Sequence, residues 1–243
     1  MCAQYTVEPG PRELMQIFDA LFPEGADFDG DVRILPHQPA PVLASAEGRR
    51  IIQLMKFSLL PSWSKEPKVK FATHNARLST FDEKVGRNVA IYEKPTWRGA
   101  FQSRPCLVPL NNFFEAAYRG PLEGHMVRFT PQNKEILMAA GIWESWSSKE
   151  TGEIIVSFAI ITDEPSDEIR HYGHDRCPVF LKQSSWEKWL NGDAREMAKN
   201  KVQFLLSNRA EIIFEASMDR PLKAGWEKRR PAAASLQGPQ QGG

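Results

Sequence analysis

Apolar residues recur along the chain in two rhythms. Within 11–22, Leu14, Ile17, Phe18 and Leu21 fall three or four residues apart, the spacing that lines one helix face, so a short amphipathic helix is expected. Runs rich in Val, Ile and Phe recur at 106–110, 113–118, 126–129, 136–143, 154–162 and 178–181, several parted by Gly, Pro or Asn. That spacing predicts strands joined by turns, hence antiparallel sheets and not parallel crossovers. Residues 50–60 read as a further strand. In contrast, 32–46 is interrupted by Pro36, Pro39 and Pro41, which cannot donate to a ladder, and reads as edge strand and loop. Helices are expected behind the capping boxes Ser184…Glu187 and Asp193…Glu196, and a last strand at 211–216.

With 243 residues, 42% of them hydrophobic and 25% charged, the chain is long enough for a substantial core, and one domain is the simplest reading. From Ala224 onward the sequence turns to Ala, Gly, Pro, Gln and charge. A domain over 1–223 and a tail over 224–243 without fixed structure are therefore expected. The longest apolar runs are far shorter than the roughly 20 residues that span a bilayer. No signal-peptide pattern opens the chain, so a soluble, cytoplasmic protein is expected. A net charge of +1 gives no global attraction to nucleic acid, which leaves only local concentrations of Lys and Arg for such a role.

The candidate chemistry is scattered. Cys2, Cys106 and Cys177 show no C-x-x-C spacing and are expected as free thiols. No metal site is expected, because the His and Cys residues lack ligand spacing, and no cofactor motif is present. Behind the initiator Met, Cys2 is commonly incidental. Once Met1 is removed, however, Cys2 carries an amine and a thiol on adjacent carbons, a 1,2-aminothiol that condenses with aldehydes. Asn75 is either a turn residue or a site residue, and Arg77 alone is commonly a solvated charge. Glu115 follows two phenylalanines, where a carboxylate has either a raised pKa or a partner. His174, in the polar run Gly173-His174-Asp175-Arg176, is either part of a capping loop or a proton shuttle. Trp63 is either packing or a base-stacking ring. His74 and His171 have no comparable context.

Taken in order, several segments carry a resemblance. They are Met1-Cys2, Leu60-Pro61-Ser62-Trp63, Asn75-Ala76-Arg77, Cys106-Leu107-Val108-Pro109, Phe113-Phe114-Glu115, Ala140-Gly141-Ile142-Trp143-Glu144 and His174-Asp175-Arg176-Cys177-Pro178. Together they resemble the SOS response-associated peptidase (SRAP) family of abasic-site processing proteins, over roughly residues 1–218. The resemblance implies an α+β fold, mainly antiparallel strands in a curled, barrel-like core with peripheral helices. It implies a protein that forms a thiazolidine cross-link with abasic sites in single-stranded DNA through Cys2, with Cys2, Asn75, Glu115 and His174 catalytic. Arg77 and Arg176 would hold phosphates and Trp63 would sit beside the DNA. No cofactor is implied, a monomer is expected, and in a bacterium the protein would be nucleoid-associated.

Within that scheme Glu115, desolvated by its phenylalanines, serves iminium formation. His174, read as part of a polar loop facing DNA, protonates the sugar ring oxygen and exposes the aldehyde. Some positions depart from the family's commonest wording. Ala3-Gln4 replaces Gly-Arg and removes a possible phosphate contact, Asn111-Asn112 replaces Asp-Gly, Ala116 stands where Trp is frequent, and Cys177 where Met or Arg is. The competing readings are a self-processing cysteine peptidase or N-terminal-nucleophile hydrolase, and a non-catalytic single-stranded DNA-binding module. A lyase activity would accompany cross-linking if the Schiff base were not captured by the thiol.

Overall fold

A computed structural model describes residues 4–23, 27–192 and 196–229 of the chain. In order these form β1 (Gln4–Val7), α1 (Pro11–Phe18), β2 (Val32–Ile34), β3 (Pro39–Ala46), β4 (Arg49–Phe57), β5 (Asn75–Arg77), β6 (Ser79–Asp82) and β7 (Arg87–Ala90). There follow α2 (Arg98–Ser103), β8 (Pro105–Leu110), β9 (Asn112–Ala116), β10 (His125–Pro131), β11 (Leu137–Ser147), β12 (Ile154–Asp163) and α3 (Asp167–His171). The chain closes with β13 (Cys177–Pro178), α4 (Trp186–Asn191), α5 (Ala198–Ser207) and β14 (Phe214–Pro221).

The fold is α+β with a closed barrel at its centre. Strand β3 pairs with β4, β4 with β12, β12 with β11, β11 with β8, and β8 returns to β3 through Leu43 opposite Leu107. A second, fully antiparallel sheet in the order β14-β10-β9-β1-β2 lies against it. Aromatic contacts join the two: the Tyr5 ring of β1 meets Phe57 of β4 edge-on at 5.4 Å, and Phe113 of β9 lies 5.9 Å from Phe180. Among the described residues no helix is long and apolar enough to cross a membrane, and no group of His, Cys, Asp and Glu is arranged to hold a metal ion.

Several expectations are corrected. Residues 39–46 are a barrel strand and not an edge with a loop. The β3–β4 register sets Pro39 opposite Lys56, and Phe57 N donates to Gln38 O, so the even positions of β3 face β4. The nitrogens of Pro39 and Pro41 therefore point toward β8, which joins only at Leu43, and no ladder bond is lost. The antiparallel rule holds except where β12 runs parallel to β4 and β5. Helix α1 stops at Phe18 because Asp19 turns left-handed (φ 45°), which leaves Leu21 to bridge Ile51. Ser184 is no N-cap. A 3-10 turn precedes α4, whose N-cap is Ser185, and the Ser185 hydroxyl donates to Lys182 O instead. Helix α5 starts late, at Ala198, and Asp193 lies outside the described residues. Of the strand expected at 178–181 only Pro178 is paired in a strand, with single bridges at Phe180 and Leu181. Residues Trp226–Arg229, within the expected tail, form a 3-10 turn because the Trp226 ring packs on Tyr118; residues 230–243 lie outside the described residues.

Candidate functional site

Side chains alternate along β9, so Glu115 shares the face of Phe113, which stacks on Phe129 in the core, and not that of Phe114. A carboxyl on an apolar face is expensive to ionise. Burial is the main cause that raises the Glu115 pKa to about 7; Asp175 adds to the rise and Arg77 opposes it. Its Oε2 lies 3.3 Å from His174 Nε2, and both residues are only 2% exposed. Burial pushes the His174 imidazole well below its ordinary value. The pair therefore favours the neutral form of each partner, a carboxylic acid against a neutral imidazole, with one exchangeable proton between them near pH 7.

His174 is thus buried against Glu115, a correction to its reading as a residue of a polar loop facing DNA. The cause is local. Gly173 has φ 82°, and a Cβ there would stand 2.9 Å from Arg119 Cγ and 3.2 Å from Tyr118 Cβ. Only glycine lets the chain turn so tightly past β9 and send the next side chain inward. Tyr118 then covers the imidazole at 5.5 Å between ring centroids.

Glu115 and His174 line a cavity of about 420 Å³ together with Gln4, Ala116, Tyr118, Arg220 and Trp226. Strand β1 enters here, with Gln4 opposite Phe114. Cys2 lies outside the described residues. Of the other two thiols, Cys106 and Cys177 are both buried and unpaired, and burial raises the pKa of each, which makes them inert. The departures noted in the sequence sort clearly. Gln4 Oε1 accepts from Arg33 at 2.6 Å and from Arg220 at 3.1 Å, so guanidinium groups stand at the rim although position 4 carries none. Asn112 ties β9 to Thr6 and Glu8, and Asn111 accepts from Glu8 N, so both asparagines pin β1 and neither lines the cavity.

A second cavity, of about 240 Å³, is lined by His74, Asn75, Arg77, Lys94 and Trp97. Asn75, on β5, is buried, and among the described residues neither atom of its amide has a hydrogen-bond partner, an uncommon state for a buried amide. Arg77 Nη1 and Arg176 Nε each stand 3.9 Å from Asp175 Oδ2. Lys94 completes a cationic cluster: burial lowers its pKa first, and the charges of Arg77 and Arg176 lower it further. Sequence reasoning missed Lys94, which lies in an undistinguished polar stretch and is brought close only by the turn after the β6–β7 hairpin. Half-buried His74, its pKa lowered to about 4 chiefly by desolvation, stays neutral edge-on to Phe57.

Trp63 lines neither cavity. It is 54% exposed on a loop held rigidly by three bonds: Leu60 N donates to Ser157 Oγ, Ser62 Oγ to Glu144, and Trp146 Nε1 to Ser64 O. Glu144 is in turn paired with Arg104 at 2.7 Å. At Gly141 a Cβ would meet Cys106 Sγ at 2.8 Å, which accounts for the glycine in Ala140-Gly141-Ile142.

The comparison with known proteins agrees with the fold. A chain from Bacteroides thetaiotaomicron of known crystal structure superposes with a TM-score of 0.69 at 20% identity, covering 97% of this chain and 98% of that one. One from Bordetella bronchiseptica gives 0.68, also at 20%, over 89% and 99%. Abasic site processing protein YoqW of Bacillus subtilis is 26% identical over 193 residues, 79% of this chain and 80% of that protein. Abasic site processing protein HMCES of Gallus gallus is 27% identical over 208 residues, 74% of this chain and 58% of that longer protein. The model of the SOS response associated peptidase (SRAP) family matches residues 1–217, nearly the whole of the described structure, and the chain belongs to that family.

Proposed function

We propose that this protein cross-links covalently to abasic sites in single-stranded DNA through Cys2, once Met1 has been removed, and so shields the lesion during the DNA damage response. The observation that carries the reading is the buried Glu115–His174 pair, its carboxyl raised to about 7, in a cavity that Gln4 also lines. Cys2 precedes Gln4 by two residues. A chain reaches at most roughly 3.6 Å per residue, so the Cys2 Cα lies within roughly 7 Å of that of Gln4 in any conformation. That relatives are named abasic site processing proteins supports the same substrate.

The reaction follows from the groups available. The Cys2 amine adds to the aldehyde carbon of the ring-opened deoxyribose, giving a carbinolamine. Glu115, protonated about half the time near pH 7, returns a proton to the hydroxyl, which leaves as water, and an iminium ion forms. The Cys2 thiol loses its proton to the Glu115 carboxylate just formed, the stronger base of a pair whose imidazole is held well below its ordinary value, and sulfur adds to the iminium carbon to close a five-membered thiazolidine. Amine and thiol belong to one residue, so closure has an effective molarity on the order of 10⁵ M or more and outruns β-elimination of the bare Schiff base. Arg77, Lys94 and Arg176 hold flanking phosphates, the Asn75 amide orients the sugar, and Trp63 offers a stacking face for a base.

The test is a denaturing gel of protein mixed with a single-stranded oligonucleotide that carries one abasic site. A heat-stable shifted band is expected. Cys2→Ser should give only an iminium that borohydride traps. A wild-type sample whose free Cys2 is confirmed by mass, and which gives no shifted band, overturns the reading.

A further inference from the structure

The wall of the Glu115 cavity farthest along the chain comes from residues that follow β14, beyond the stretch that the family model matches. This segment is built in. Leu222 N donates to Gly124 O, and the Trp226 indole lies across Gly124, close enough that a Cβ there would touch its ring at 3.4 Å. The ring stands 6.2 Å from Tyr118, which in turn stands 5.5 Å from His174, so a ladder of three rings leads from the proton-transfer pair to the cavity mouth. Cations flank its outer end. Arg220 is half exposed and held by Asp219 and Gln4, while Lys223 and Arg229 are exposed. Arg229 is near enough to Tyr118 for its charge to offset part of the rise that burial imposes on the phenol.

A half-buried indole in a cavity wall that Arg220 and Arg229 share matches one ligand chemistry, a nucleotide: a flat base for the ring and phosphates for the cations. We propose that residues 220–229 form a nucleotide subsite in which Trp226 stacks on the base next to the lesion while Arg220 and Arg229 hold the adjoining phosphates. The subsite rests on single-stranded DNA as the ligand and adds a contact that reads whether a neighbouring base is present.

The experiment measures binding by fluorescence anisotropy with single-stranded oligonucleotides carrying a central tetrahydrofuran residue, an abasic analogue that cannot condense. In one probe natural bases flank that residue; in the other its neighbours are tetrahydrofuran as well. The wild type should prefer the base-bearing probe by roughly tenfold, the scale of one base stacked on an aromatic ring. Trp226→Phe should keep most of that preference. Trp226→Leu, which fills the same contact with Tyr118 but has no π-face, should lose it, as should Trp226→Ala. Full preference in Trp226→Leu, or none in the wild type, overturns the proposal. The covalent gel run alongside separates the two readings. A preference without a covalent band sinks the cross-linking reading and leaves the subsite standing, whereas a band without a preference sinks the subsite alone.

Discussion

Glu115 and His174 are each 2% exposed and 3.3 Å apart, whereas the Arg77 and Arg176 side chains, 28% and 15% exposed, each stand 3.9 Å from one oxygen of the Asp175 carboxylate. In the first region a carboxyl and an imidazole have lost their water, and both are driven toward their neutral forms. In the second, like charges are gathered around one counter-charge: burial lowers the Arg176 pKa, and Asp175 opposes that fall. Desolvation makes a carboxyl that exchanges protons near neutral pH, whereas guanidinium groups, whose ordinary values lie far above that range, remain a fixed positive field. The Glu115 cavity has cations of its own, Arg220, Lys223 and Arg229, but they are exposed residues of its wall whereas the carboxyl is buried.

The largest effect that would sharpen this contrast is kinetic. Glu115→Gln removes a proton-transfer group and should slow cross-linking by about 10²–10⁴-fold while leaving affinity for a non-condensing oligonucleotide intact. An equal loss of affinity would mean that the buried pair binds DNA.

Stability against pH comes next. The raised pKa of Glu115 means that its contribution falls as pH rises from its ordinary value near 4.5 to about 7. The lowered pKa of His174 means that its contribution is lost as pH falls below its ordinary 6.5. The two slopes oppose each other between pH 4.5 and 6.5, so the wild type should change little there. Denaturant titrations should then show Glu115→Gln gaining stability as pH rises and His174→Gln losing it, each by at most roughly 1.4 kcal/mol per pH unit. Parallel curves for both variants would show that the groups are not desolvated together.

Gly173→Ala should cost about 1 kcal/mol or more, since φ 82° and the 2.9 Å approach to Arg119 both oppose a side chain. It should also slow cross-linking by displacing His174, without altering the salt dependence of binding. The smallest effect belongs to the cations. Arg77→Ala and Lys94→Ala should each flatten the slope of log affinity against log salt by about 0.7, the share of one phosphate on a single strand. An unchanged slope in either removes that residue from the phosphate contacts.

The parts of this architecture that show in the sequence are the ones set by local pattern. Strands such as β11 and β12 are long enough for their apolar runs to be read directly, and Glu115 stands out because two phenylalanines precede it. What escapes is set by partners distant in sequence. Strand β5 is three residues long and exists because β12 offers it a parallel edge, and β3 tolerates its prolines because of a register fixed by β4. His174 looks solvated between Gly173 and Asp175, and only the positive φ of that glycine turns it inward. Lys94 and Trp226 have no local signature of function. Each acquires one from what the fold brings beside it.

The closed barrel also sets an order of events during synthesis. Strand β1 leaves the ribosome long before β9, its partner, and β4 cannot complete the ring until β12 has been made. At about 5–20 residues per second, residue 174 follows residue 4 by roughly 10–35 s. For that interval β1 lacks its β9 partner, and the pocket to which it contributes Gln4 is unfinished. The late return of the chain to its own beginning thus makes the cavity around Glu115 one of the last parts of the fold to be assembled.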